Sequence, residues 1–386
     1  MSQRLDYDVV VIGARCAGAA HARLLAQAGF STLVVDRAEQ GSDTLSSHTM
    51  TRGGVQQLDR WGLLDGIVAS GTPGISRSVF QFGDHSFPID IRPVQSGPGM
   101  IAPRRFKLDA VLGESAEAAG AEFRYRTSFQ EAIRDDTGRV RGVRLSGTDG
   151  WEYSVRADFV VGADGLQSSF ARHMGVQHCV ISPNAHSHLY GYFNLPGQVD
   201  NQMIFGRGVS VGLTPTDDGM TIAIVSCSPD RMRSAMRTYG AEGALLKLAA
   251  KANAEIGERL QSAQMNERTR LFAGHPTMRR KSSGPGWALI GDAGQFRDPV
   301  TAHGMTDAFR DAEHLATHLM EIGYDVTGYE VERNAVSDPI FNLTAQMTEP
   351  NQPYEALAMQ FKQLSALMRD EQAWMEQRFR PQKLAA

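Results

Sequence analysis

Residues 7–20 read YDVVVIGARCAGAA, and this stretch decides how the rest of the chain is interpreted. The run over residues 7–12 is rich in β-branched side chains without alternation, which is typical of a strand buried on both faces. Glycines then break the run, residues 17–28 favour a helix, and a second apolar run over residues 31–35 ends at Asp36. Strand, glycine turn, helix and strand in this order predict a βαβ unit with a right-handed crossover.

The turn from Gly13 to Gly18 stands where a G-x-G-x-x-G fingerprint would, and Asp36 follows eighteen residues after its last glycine. The free N–H groups and dipole of a helix N-terminus attract a diphosphate, and an acid at the end of the second strand accepts hydrogen bonds from a ribose. Arg15 replaces the middle glycine, so either its Cβ points away from the ligand or its guanidinium contacts the dinucleotide. Cys16 falls in the first helical turn, where close packing of a small residue explains it better than a redox role. We predict dinucleotide binding here, with a purely structural turn as the alternative.

The composition excludes several classes of protein. Hydrophobic residues make up 42% and charged residues 21% of the 386 residues, which is typical of a soluble globular chain and not of a disordered or membrane-embedded one. The net charge is −4, and no basic cluster is long enough to follow a nucleic acid. The three cysteines are too few and too scattered for a disulfide framework or a spaced metal site, so no metal is expected. Without a signal peptide or an apolar stretch of membrane length, we expect a cytoplasmic protein of two or three domains.

Patterns in the middle of the chain predict sheet structure. Residues 78–91 indicate a hairpin, and a second hairpin joins residues 140–145 to residues 153–155. A further buried strand with a glycine turn follows at residues 159–165. Between residues 188 and 227, short strands separated by Pro, Gly and Asp turns predict a mostly antiparallel sheet.

Helical patterns dominate the rest of the chain. Residues 232–260 read as helical and interrupt the predicted sheet region. Apolar residues recur at helical spacing over residues 304–322, and Gly323 ends the pattern, so we expect a long helix packed on the first domain. After Pro353, apolar residues three and four apart predict a terminal amphipathic helix docked on the core.

Three glycine turns at wide spacing make the first turn specific. Residues 162–165 read GADG and residues 291–294 read GDAG, and each follows a buried strand. With RFKL at residues 105–108 and GDAGQFRDPVTAHGMTDA at residues 291–308, the chain resembles the flavoprotein monooxygenases of the para-hydroxybenzoate hydroxylase type. It resembles equally the geranylgeranyl reductase branch of the same superfamily. The resemblance covers the N-terminus to about residue 320 and says little about the antiparallel sheet.

The resemblance implies FAD as the bound dinucleotide. Gly13, Gly18 and Asp36 match the family's ADP-binding turn and ribose acid. Arg52 and Arg105 match its arginines near the phosphate and ribityl groups, where a guanidinium suits a diphosphate. A surface salt bridge is the alternative for each arginine.

The two later glycine turns carry the other residues that the resemblance assigns to the cofactor. Asp164 and Gly165 match a motif tied to both FAD and nicotinamide binding, and Asp292 matches the acid that holds a ribityl hydroxyl. Ordinary turn aspartates are the alternative for both acids. The full set of expected cofactor-binding residues is Gly13, Arg15, Cys16, Ala17, Gly18, Asp36, Arg37, Arg52, Arg105, Asp164, Gly165, Gly291, Asp292, Pro299, Gly304, Met305 and Thr306.

Residues 299–306, PVTAHGMT, precede the long predicted helix and in the family enclose the flavin. Backbone N–H groups of Met305 and Thr306 at the helix N-terminus would stabilise the negative charge of the reduced flavin. Relative to the family pattern P-x-x-G-x-G, an alanine replaces one glycine and His303 stands where a lysine or glutamine is common. His303 and His48 are the candidates for acid–base or substrate-positioning work, because the resemblance places both near the isoalloxazine. A hydrogen-bonded structural histidine is the alternative for each.

The fold that the resemblance implies is α/β. We expect an FAD-binding Rossmann-like domain of the glutathione-reductase type, with an inserted, mostly antiparallel substrate domain and a C-terminal helix. The predicted boundaries place the discontinuous FAD-binding domain at residues 1–76, 101–180 and 270–345, the substrate domain at residues 77–100 and 181–269, and the C-terminal helical segment at residues 346–386.

The function that the resemblance implies is an FAD-dependent monooxygenase. NADH or NADPH would reduce the flavin, O2 would form a flavin C4a-hydroperoxide, and one oxygen would reach a small, electron-rich, aromatic substrate. A flavin-dependent reductase or dehydrogenase acting on an isoprenoid or other apolar substrate is the alternative, because it would use the same FAD motifs. A halogenase is disfavoured because the four tryptophans form no W-x-W-x-I-P segment. A third alternative is a flavin-binding sensor or assembly protein without turnover. Such a protein would neither bleach nor recycle its flavin when NADPH is added.

Overall fold

The computed structural model describes residues 5–148, 150–350 and 352–379. Residues 1–4 and 380–386, at the ends of the predicted first and last segments, lie outside the described residues. The strands of the described residues are β1 (Asp6–Ile12), β2 (Thr32–Val35), β3 (Arg77–Phe82), β4 (His85–Asp90), β5 (Glu122–Arg124), β6 (Ser128–Arg134), β7 (Val140–Ser146), β8 (Glu152–Gly162), β9 (His178–Ser182), β10 (Ser187–Phe193), β11 (Asn201–Gly206), β12 (Val209–Pro215), β13 (Thr221–Cys227), β14 (Arg270–Phe272), β15 (Thr277–Arg280), β16 (Ser283–Gly284), β17 (Trp287–Leu289) and β18 (Gln295–Phe296). The helices are α1 (Cys16–Gln27), α2 (Arg52–Arg60), α3 (Leu64–Ala69), α4 (Arg105–Ala118), α5 (Ser169–His173), α6 (Pro229–Ala252), α7 (Ala254–Ser262), α8 (Gly304–Ile322), α9 (Tyr329–Met347) and α10 (Tyr354–Arg378).

The predicted βαβ unit forms the centre of an eight-stranded sheet. Strand β1 lies parallel between β2 and β8, with Val9 opposite Thr32 on one side and Phe159 on the other. Strands β5 and β17 extend the parallel part at its two sides, and β7 and β6 join antiparallel beyond β8. Val9 and Val10 have no exposed surface, because helices cover one face of the sheet and a second apolar cluster covers the other. The predicted α/β class is confirmed.

Small side chains let helices pack tightly on this sheet. Ala19, Ala20 and Ala22 of α1 are fully buried and belong to one apolar cluster with residues of α4 and α8. The long helix α8 spans the residues predicted from its apolar spacing. Because α1 and α8 lie side by side, the turns that precede them are brought to the same edge of the sheet.

One continuous strand replaces two predicted segments. Strand β8 is eleven residues long, and its first half pairs antiparallel with β7, with Tyr153 opposite Leu145. Its second half runs parallel to β1, with Phe159 opposite Val9. The change from alternating to continuously apolar sequence marks the point where both faces become buried, not a turn between two strands.

The second sheet has seven strands in the order β14, β10, β13, β12, β11, β3 and β4. All neighbours are antiparallel except β11 and β3, which run parallel, so the predicted mostly antiparallel sheet is observed. One face packs against α6 and α7 through residues such as Leu189 and Val225. The opposite face carries Tyr190, Tyr192 and Ile222, because side chains alternate along each strand.

Three features differ from the sequence expectations or extend them. Strand β14 pairs with β10, so the second sheet continues past residue 270. That residue was predicted to begin the last segment of the FAD-binding domain. Helix α9 and the small sheet of β9, β15 and β18 were not predicted. The helical stretch after β13 is two helices, and α6 itself is kinked at Gly240, which has a φ of 70°.

Helix α10 bridges both sheets. In its N-terminal half, the ring of Phe361 lies 5.1 Å from that of Phe80 and 5.0 Å from that of Phe205, between ring centroids. In its C-terminal half, Met375 contacts α2 at Gly53. No helix of the described residues is both long and apolar enough to cross a bilayer.

Candidate functional site

The first glycine turn holds the N-terminus of α1 against the end of β1. Gly13 has a φ of 109°, and a Cβ added there would lie 2.4 Å from the carbonyl oxygen of Ala163. A Cβ on Gly18 would lie 1.8 Å from the carbonyl oxygen of Gly13. Both positions therefore require glycine, because neighbouring backbone lies where a side chain would begin. Arg15 occupies the N-cap position but its side chain makes no capping hydrogen bond. The first N–H groups of α1 therefore suit a diphosphate.

Asp36 supports this turn from the end of β2. Its Oδ2 accepts a hydrogen bond from the Ala14 N–H at 2.8 Å, and its Oδ1 accepts one from the Ala38 N–H at 2.8 Å. Each carboxylate oxygen keeps a further lone pair for a ribose hydroxyl. The side chain of Arg37 is exposed. A shallow cleft opens beside Asp36 and is lined by Ala14, Arg15, Asp36, Ala38, Glu39, Gln40, Gly41, Ser42, Asp109, Ala110 and Tyr125.

Arg105, at the start of α4, lies where the glycine turns meet. Its Nη2 donates to both carboxylate oxygens of Asp109, at 3.0 and 3.1 Å. Burial opposes the charge of Arg105, but Asp109 and Cys16 overcome this and raise its pKa above the ordinary range. Burial also raises the pKa of the Cys16 thiol well above its usual value, and the thiol donates to Asp109 Oδ1 at 3.3 Å. A protonated, buried thiol favours the packing role predicted for Cys16 over a redox role.

The third glycine turn presents Asp292 to the same region. Burial and, to a lesser extent, the charge of Asp307 raise the pKa of Asp292 to about 7, while the charge of Arg105 opposes the rise. The N–H of Gly291 donates to Asp311 Oδ2 at 3.2 Å, which fixes the turn on α8. The Asp292 carboxyl is therefore held close to α8 and α4, and a bound hydroxyl would supply it with a polar partner.

Arg280 joins the second and third glycine turns. Its Nη1 donates to the Ala293 carbonyl and its Nη2 to the Leu166 carbonyl, both at 2.9 Å. The segments GADG and GDAG, which are far apart in the sequence, are thereby fixed side by side. Sequence reasoning missed this arginine because no short motif contains it.

The Asp164 carboxylate is occupied within its own turn. It accepts hydrogen bonds from the Ser168 hydroxyl at 2.5 Å, from the N–H and hydroxyl of Ser169 at 2.7 and 2.9 Å, and from the Phe170 N–H at 3.1 Å. The side chain thus acts as the turn aspartate that the sequence left open. Gly165 has a φ of 75°, so its backbone adopts the left-handed conformation beside Asp164. Contact of this turn with FAD or nicotinamide stays a prediction.

Arg52 is directed toward α10. Its Nη1 donates to Gln372 at 3.0 Å, and its Nη2 lies 3.5 Å from the Pro93 carbonyl oxygen. These partners hold α10 and the loop around residue 93 against α2. The predicted contact of Arg52 with a phosphate or ribityl group stays a prediction, because a side chain with these partners would have to reorient to reach the ligand.

The segment over residues 299–306 forms a tight turn at the N-terminus of α8. Pro299 begins a short 3-10 turn, and Ala302, which replaces the family glycine, adopts a φ of 51°. His303 is the N-cap residue of α8 and makes no side-chain capping hydrogen bond. The N–H groups of Met305 and Thr306 belong to the first helical turn, as expected, and favour an anion or a carbonyl oxygen nearby.

His48 is buried between the first sheet's loops and the second sheet. Its Nε2 lies 2.5 Å from the Tyr192 hydroxyl, and the two rings stack with centroids 5.8 Å apart. Burial and, to a lesser extent, the charge of Arg105 lower the pKa of His48 to about 3. Burial raises the pKa of Tyr192 above its ordinary range, so both side chains are neutral near pH 7. The guanidinium of Arg104 covers the Tyr192 ring at 4.4 Å from its centroid.

A buried ionic network surrounds the start of α8. Within the described residues, ligand atoms of His303, Asp307 and Glu371 form a group of the kind that could hold a metal ion. Arg310 contacts Asp307 at 2.7 Å and also Glu371, and Arg297 contacts Asp307 at 2.7 Å. Because the two carboxylates are already paired with guanidinium groups, the geometry favours an ionic network over a metal centre.

Unpartnered polar groups test whether these residues fit a bound dinucleotide. Buried polar atoms of native proteins nearly always have partners, so each exception needs an explanation. Among the described residues, several such exceptions lie in the segments discussed above: Arg15 Nη1, His48 Nδ1, Thr51 Oγ1, Arg52 Nε, Arg105 Nε, Arg297 Nε and Nη1, Thr301 Oγ1, His303 Nδ1 and Thr306 Oγ1. These donors and acceptors, with the two glycines at which a Cβ would clash, suit a long ligand that carries phosphates, hydroxyls and a polar ring. The residues present fit FAD.

Most predicted residues therefore meet at one edge of the first sheet, and three residues besides Arg280 were missed. Tyr192 was missed although its strand reads SHLYGYF, with polar and aromatic residues alternating on one face. Arg104 directly precedes the quoted RFKL motif. Glu371 continues the apolar spacing of the terminal helix after Met368, three residues earlier, so a charged residue on a buried stripe was the available signal.

Comparison with known proteins identifies the superfamily. A model of the FAD binding domain family matches residues 6–326. Digeranylgeranylglycerophospholipid reductase 2 of Methanopyrus kandleri is 31% identical over 179 residues, which cover 45% of this chain and 41% of the reductase. Squalene monooxygenase of Candida glabrata is 21% identical over 403 residues, covering 89% of this chain and 80% of that protein. The match to the first relative thus spans less than half of that relative's length.

Solved structures share the fold at low sequence identity. The structure described as pqsL, "a probable FAD-dependent monooxygenase from Pseudomonas aeruginosa", has a TM-score of 0.76 at 20% identity and covers 92% of this chain and 100% of its own. The flavin-dependent brominase Bmp2 has a TM-score of 0.77 at 17% identity and covers 96% and 100% of the two chains. At these identities the likeness concerns the fold alone, and it agrees with the predicted one.

Proposed function

This chain belongs to the FAD binding domain family, within the FAD-dependent oxidoreductase superfamily, and on that premise we propose that it is an NAD(P)H-dependent monooxygenase of a small aromatic substrate. Bound FAD would supply hydride acceptance and the activation of O2. The glycine turns around Gly13 and Gly291, with Arg105, Asp36 and Asp292, would hold the dinucleotide.

The observation that carries the proposal is the hydrogen-bonded pair of His48 and Tyr192. The pair lies where the cofactor loops meet the inner face of the second sheet, and both members are fully buried. Because both are neutral near pH 7, the proton between them can sit on either atom, depending on the histidine tautomer. A hydroxyl in such a position can donate a hydrogen bond to a substrate oxygen when His48 Nε2 carries its hydrogen, or accept one from a substrate phenol when Nε2 does not, and so orient the aromatic ring.

The surroundings of this pair support an aromatic substrate with one polar group. Along the same face of β10 and β13, Tyr190, Ile222 and Ile224 form an apolar and aromatic cluster with Tyr192. The charge of Arg104 above the Tyr192 ring would favour an anionic oxygen close by. Apolar walls also exclude water, which limits wasteful loss of activated oxygen.

The second candidate is a reductase of an apolar, isoprenoid-like substrate. Its support is the ring cluster of Phe80, Phe82, Phe205 and Phe361 at the far side of the same sheet face. The 31% identity to a digeranylgeranylglycerophospholipid reductase is consistent with it. In this candidate, bound FAD would return the hydride to a carbon–carbon double bond.

The test uses purified protein saturated with FAD. NADH or NADPH is added without oxygen, bleaching of the visible flavin absorption is followed, and isotopically labelled O2 is then admitted with a panel of phenols and of isoprenoid alkenes. Label in a hydroxylated product supports the monooxygenase. A saturated product without label supports the reductase, and flavin that is never bleached overturns both.

A matched pair of variants tests the role of the Tyr192 hydroxyl. Tyr192→Phe keeps the ring and should lower kcat/KM by about 10-fold, because it removes the hydrogen bond that would orient the substrate. Tyr190→Phe is the control, because that hydroxyl accepts a hydrogen bond from the Ser46 N–H at 3.2 Å, while its ring meets the His48 ring only edge-on, with centroids 6.3 Å apart. Equal effects of the two substitutions would contradict the assignment.

A further inference from the structure

Glu371 is a buried carboxylate on the terminal helix that the proposed function does not yet use. Its Oε2 lies 2.6 Å from His303 Nε2, and its Oε1 contacts Arg310. Both Glu371 and His303 are almost completely buried, with 4% and 1% of their surface exposed. They are separated by 68 residues, so α10 brings the carboxylate to the start of α8 from outside the segment that resembles the flavoprotein family.

The position of Glu371 within α10 is unusual for a charged residue. Leu364, Met368 and Met375 lie on the same stripe at spacings of three and four residues, and Glu371 falls between the last two. Placing a carboxylate on an apolar stripe is costly unless it is paired and hydrogen-bonded. Packing alone therefore favours a leucine or methionine here, and the carboxylate calls for another reason.

The charges around Glu371 keep it ionised. Burial opposes ionisation, but His303, which donates a hydrogen bond, and the charge of Arg310 lower the pKa of Glu371 below its ordinary range. Asp307 lies 3.9 Å from the same ring nitrogen of His303, and it is paired with Arg297 and Arg310. An ionised carboxylate only accepts hydrogen bonds, so His303 Nε2 carries the hydrogen that Glu371 accepts.

This arrangement leaves the other ring nitrogen of His303 free for a ligand. His303 Nδ1 is buried and has no hydrogen-bond partner among the described residues, and the same is true of Thr301 Oγ1 and Thr306 Oγ1. Three such groups within six residues of one turn point to a shared ligand. This is the turn that the proposed function places beside the flavin ring.

We propose that Glu371 is a positioning residue, which fixes the ring orientation and tautomer of His303 so that Nδ1 faces the cofactor end of the site as a hydrogen-bond acceptor. The inference deepens the proposed function and rests on it. Glu371 acts through His303, in the way that a second carboxylate orients a ligating or catalytic histidine. Helix α10 thereby becomes part of the active site although it lies beyond the family match, which ends at residue 326.

The first experiment needs no turnover. The proton NMR spectrum of the FAD-loaded protein should contain a far-downfield resonance from the Nε2–H of His303, which is hydrogen-bonded to the Glu371 carboxylate. It should disappear in Glu371→Gln and in His303→Asn, and persist in Glu376→Gln, a matched substitution in the same helix that affects a surface contact with Gln56. A resonance that persists in Glu371→Gln would overturn the pairing.

The second experiment is a double-mutant cycle on the rate of NADPH-driven flavin bleaching. Glu371→Gln should lower this rate by about 10- to 100-fold in the wild-type background, the usual effect of losing such a partner. In the His303→Asn background the same substitution should have no further effect, because Glu371 would have nothing to position. Equal effects in both backgrounds would show a merely structural carboxylate.

Two controls separate the possible failures. FAD affinity, from quenching of flavin fluorescence, should change less than about threefold in Glu371→Gln, whereas collapse of the fold would abolish it. If Glu371→Gln fails to fold, Glu371→Asp replaces it, and a shortened side chain should lower the bleaching rate with the NMR signal shifted but present. A wild-type protein that binds FAD and never reacts with NADH or NADPH overturns the proposed function, whereas the NMR experiment still decides the pairing.

Discussion

The replacement Asp292→Asn should remove a pH-dependent weakness from the folded protein. The pKa of Asp292 is raised to about 7 in the folded state, mainly by burial, from an ordinary value of 3.8. Between these values the folded state holds a proton that the unfolded state releases. The contribution of Asp292 to stability is therefore present at low pH and is lost as the pH rises through 7.

The magnitude follows from the size of this shift. Each pH unit in the window between pH 4 and pH 7 costs the FAD-free protein about 1.4 kcal/mol, so the whole shift corresponds to roughly 4 kcal/mol. Asp292 keeps partial contact with solvent, and screening reduces this figure, so we expect about 2 kcal/mol. The buried histidines with lowered pKa values titrate in the same window, but they are common to both proteins and cancel in the difference.

The assay is urea unfolding of FAD-free protein, followed by circular dichroism from pH 5 to pH 8. The free energy of unfolding of Asp292→Asn minus that of the wild type should increase with pH up to about pH 7 and then level off. Asp136→Asn, in the exposed turn between β6 and β7, is the control and should give a flat difference. Parallel curves for Asp292→Asn and the wild type would refute the reasoning. The same variant should bind FAD about 10- to 100-fold more weakly, since it loses a charged hydrogen-bond acceptor.

Three further predictions concern single positions. Gly18→Ala should prevent FAD binding and cost about 3 kcal/mol of stability, because its Cβ would lie 1.8 Å from the Gly13 carbonyl oxygen; Gly66→Ala, with open space around it, is the control for urea unfolding. Ala302→Gly should change stability by less than about 1 kcal/mol, because relief of the left-handed backbone offsets the extra chain entropy of glycine. A loss above about 2 kcal/mol would contradict this. Ellman's reagent should react quickly only with Cys179, which is exposed, while the two buried cysteines react after denaturation.

The sequence predicts the local elements of this fold well where they are strongly periodic. Helix α8 and the hairpin of β3 and β4 have the expected positions, because their apolar spacing and turn residues are determined locally. The single strand β8 was divided in two because its partners change halfway along it, from β7 to β1. Helix α9 contains Pro339 and lacks a clear apolar stripe, so its helical state depends on packing against α8 and α10.

The site is predictable to the extent that it lies in short motifs. The glycine turns and Arg105 could be identified from the sequence, because a dinucleotide constrains backbone that is contiguous in the chain. His48 and His303 could be named only as candidates, since their partners, Tyr192 and Glu371, come from a different sheet and from the terminal helix. Such pairs depend on the packing of distant elements, and no local pattern specifies them.

Several costly features of this fold lie in the cofactor loops. His48 and Ala302 adopt left-handed backbone conformations with φ values of 60° and 51°, each of which disfavours folding by about 1 to 2 kcal/mol for a residue other than glycine. Burial raises the pKa of Asp292, and several buried polar groups of these loops have no hydrogen-bond partner among the described residues. A bound ligand that supplies hydrogen bonds to these groups offsets their cost, whereas strain placed elsewhere in the core would have no such compensation. These strained and unpartnered groups therefore point to the same region as the glycine motifs, on evidence that does not involve the glycines.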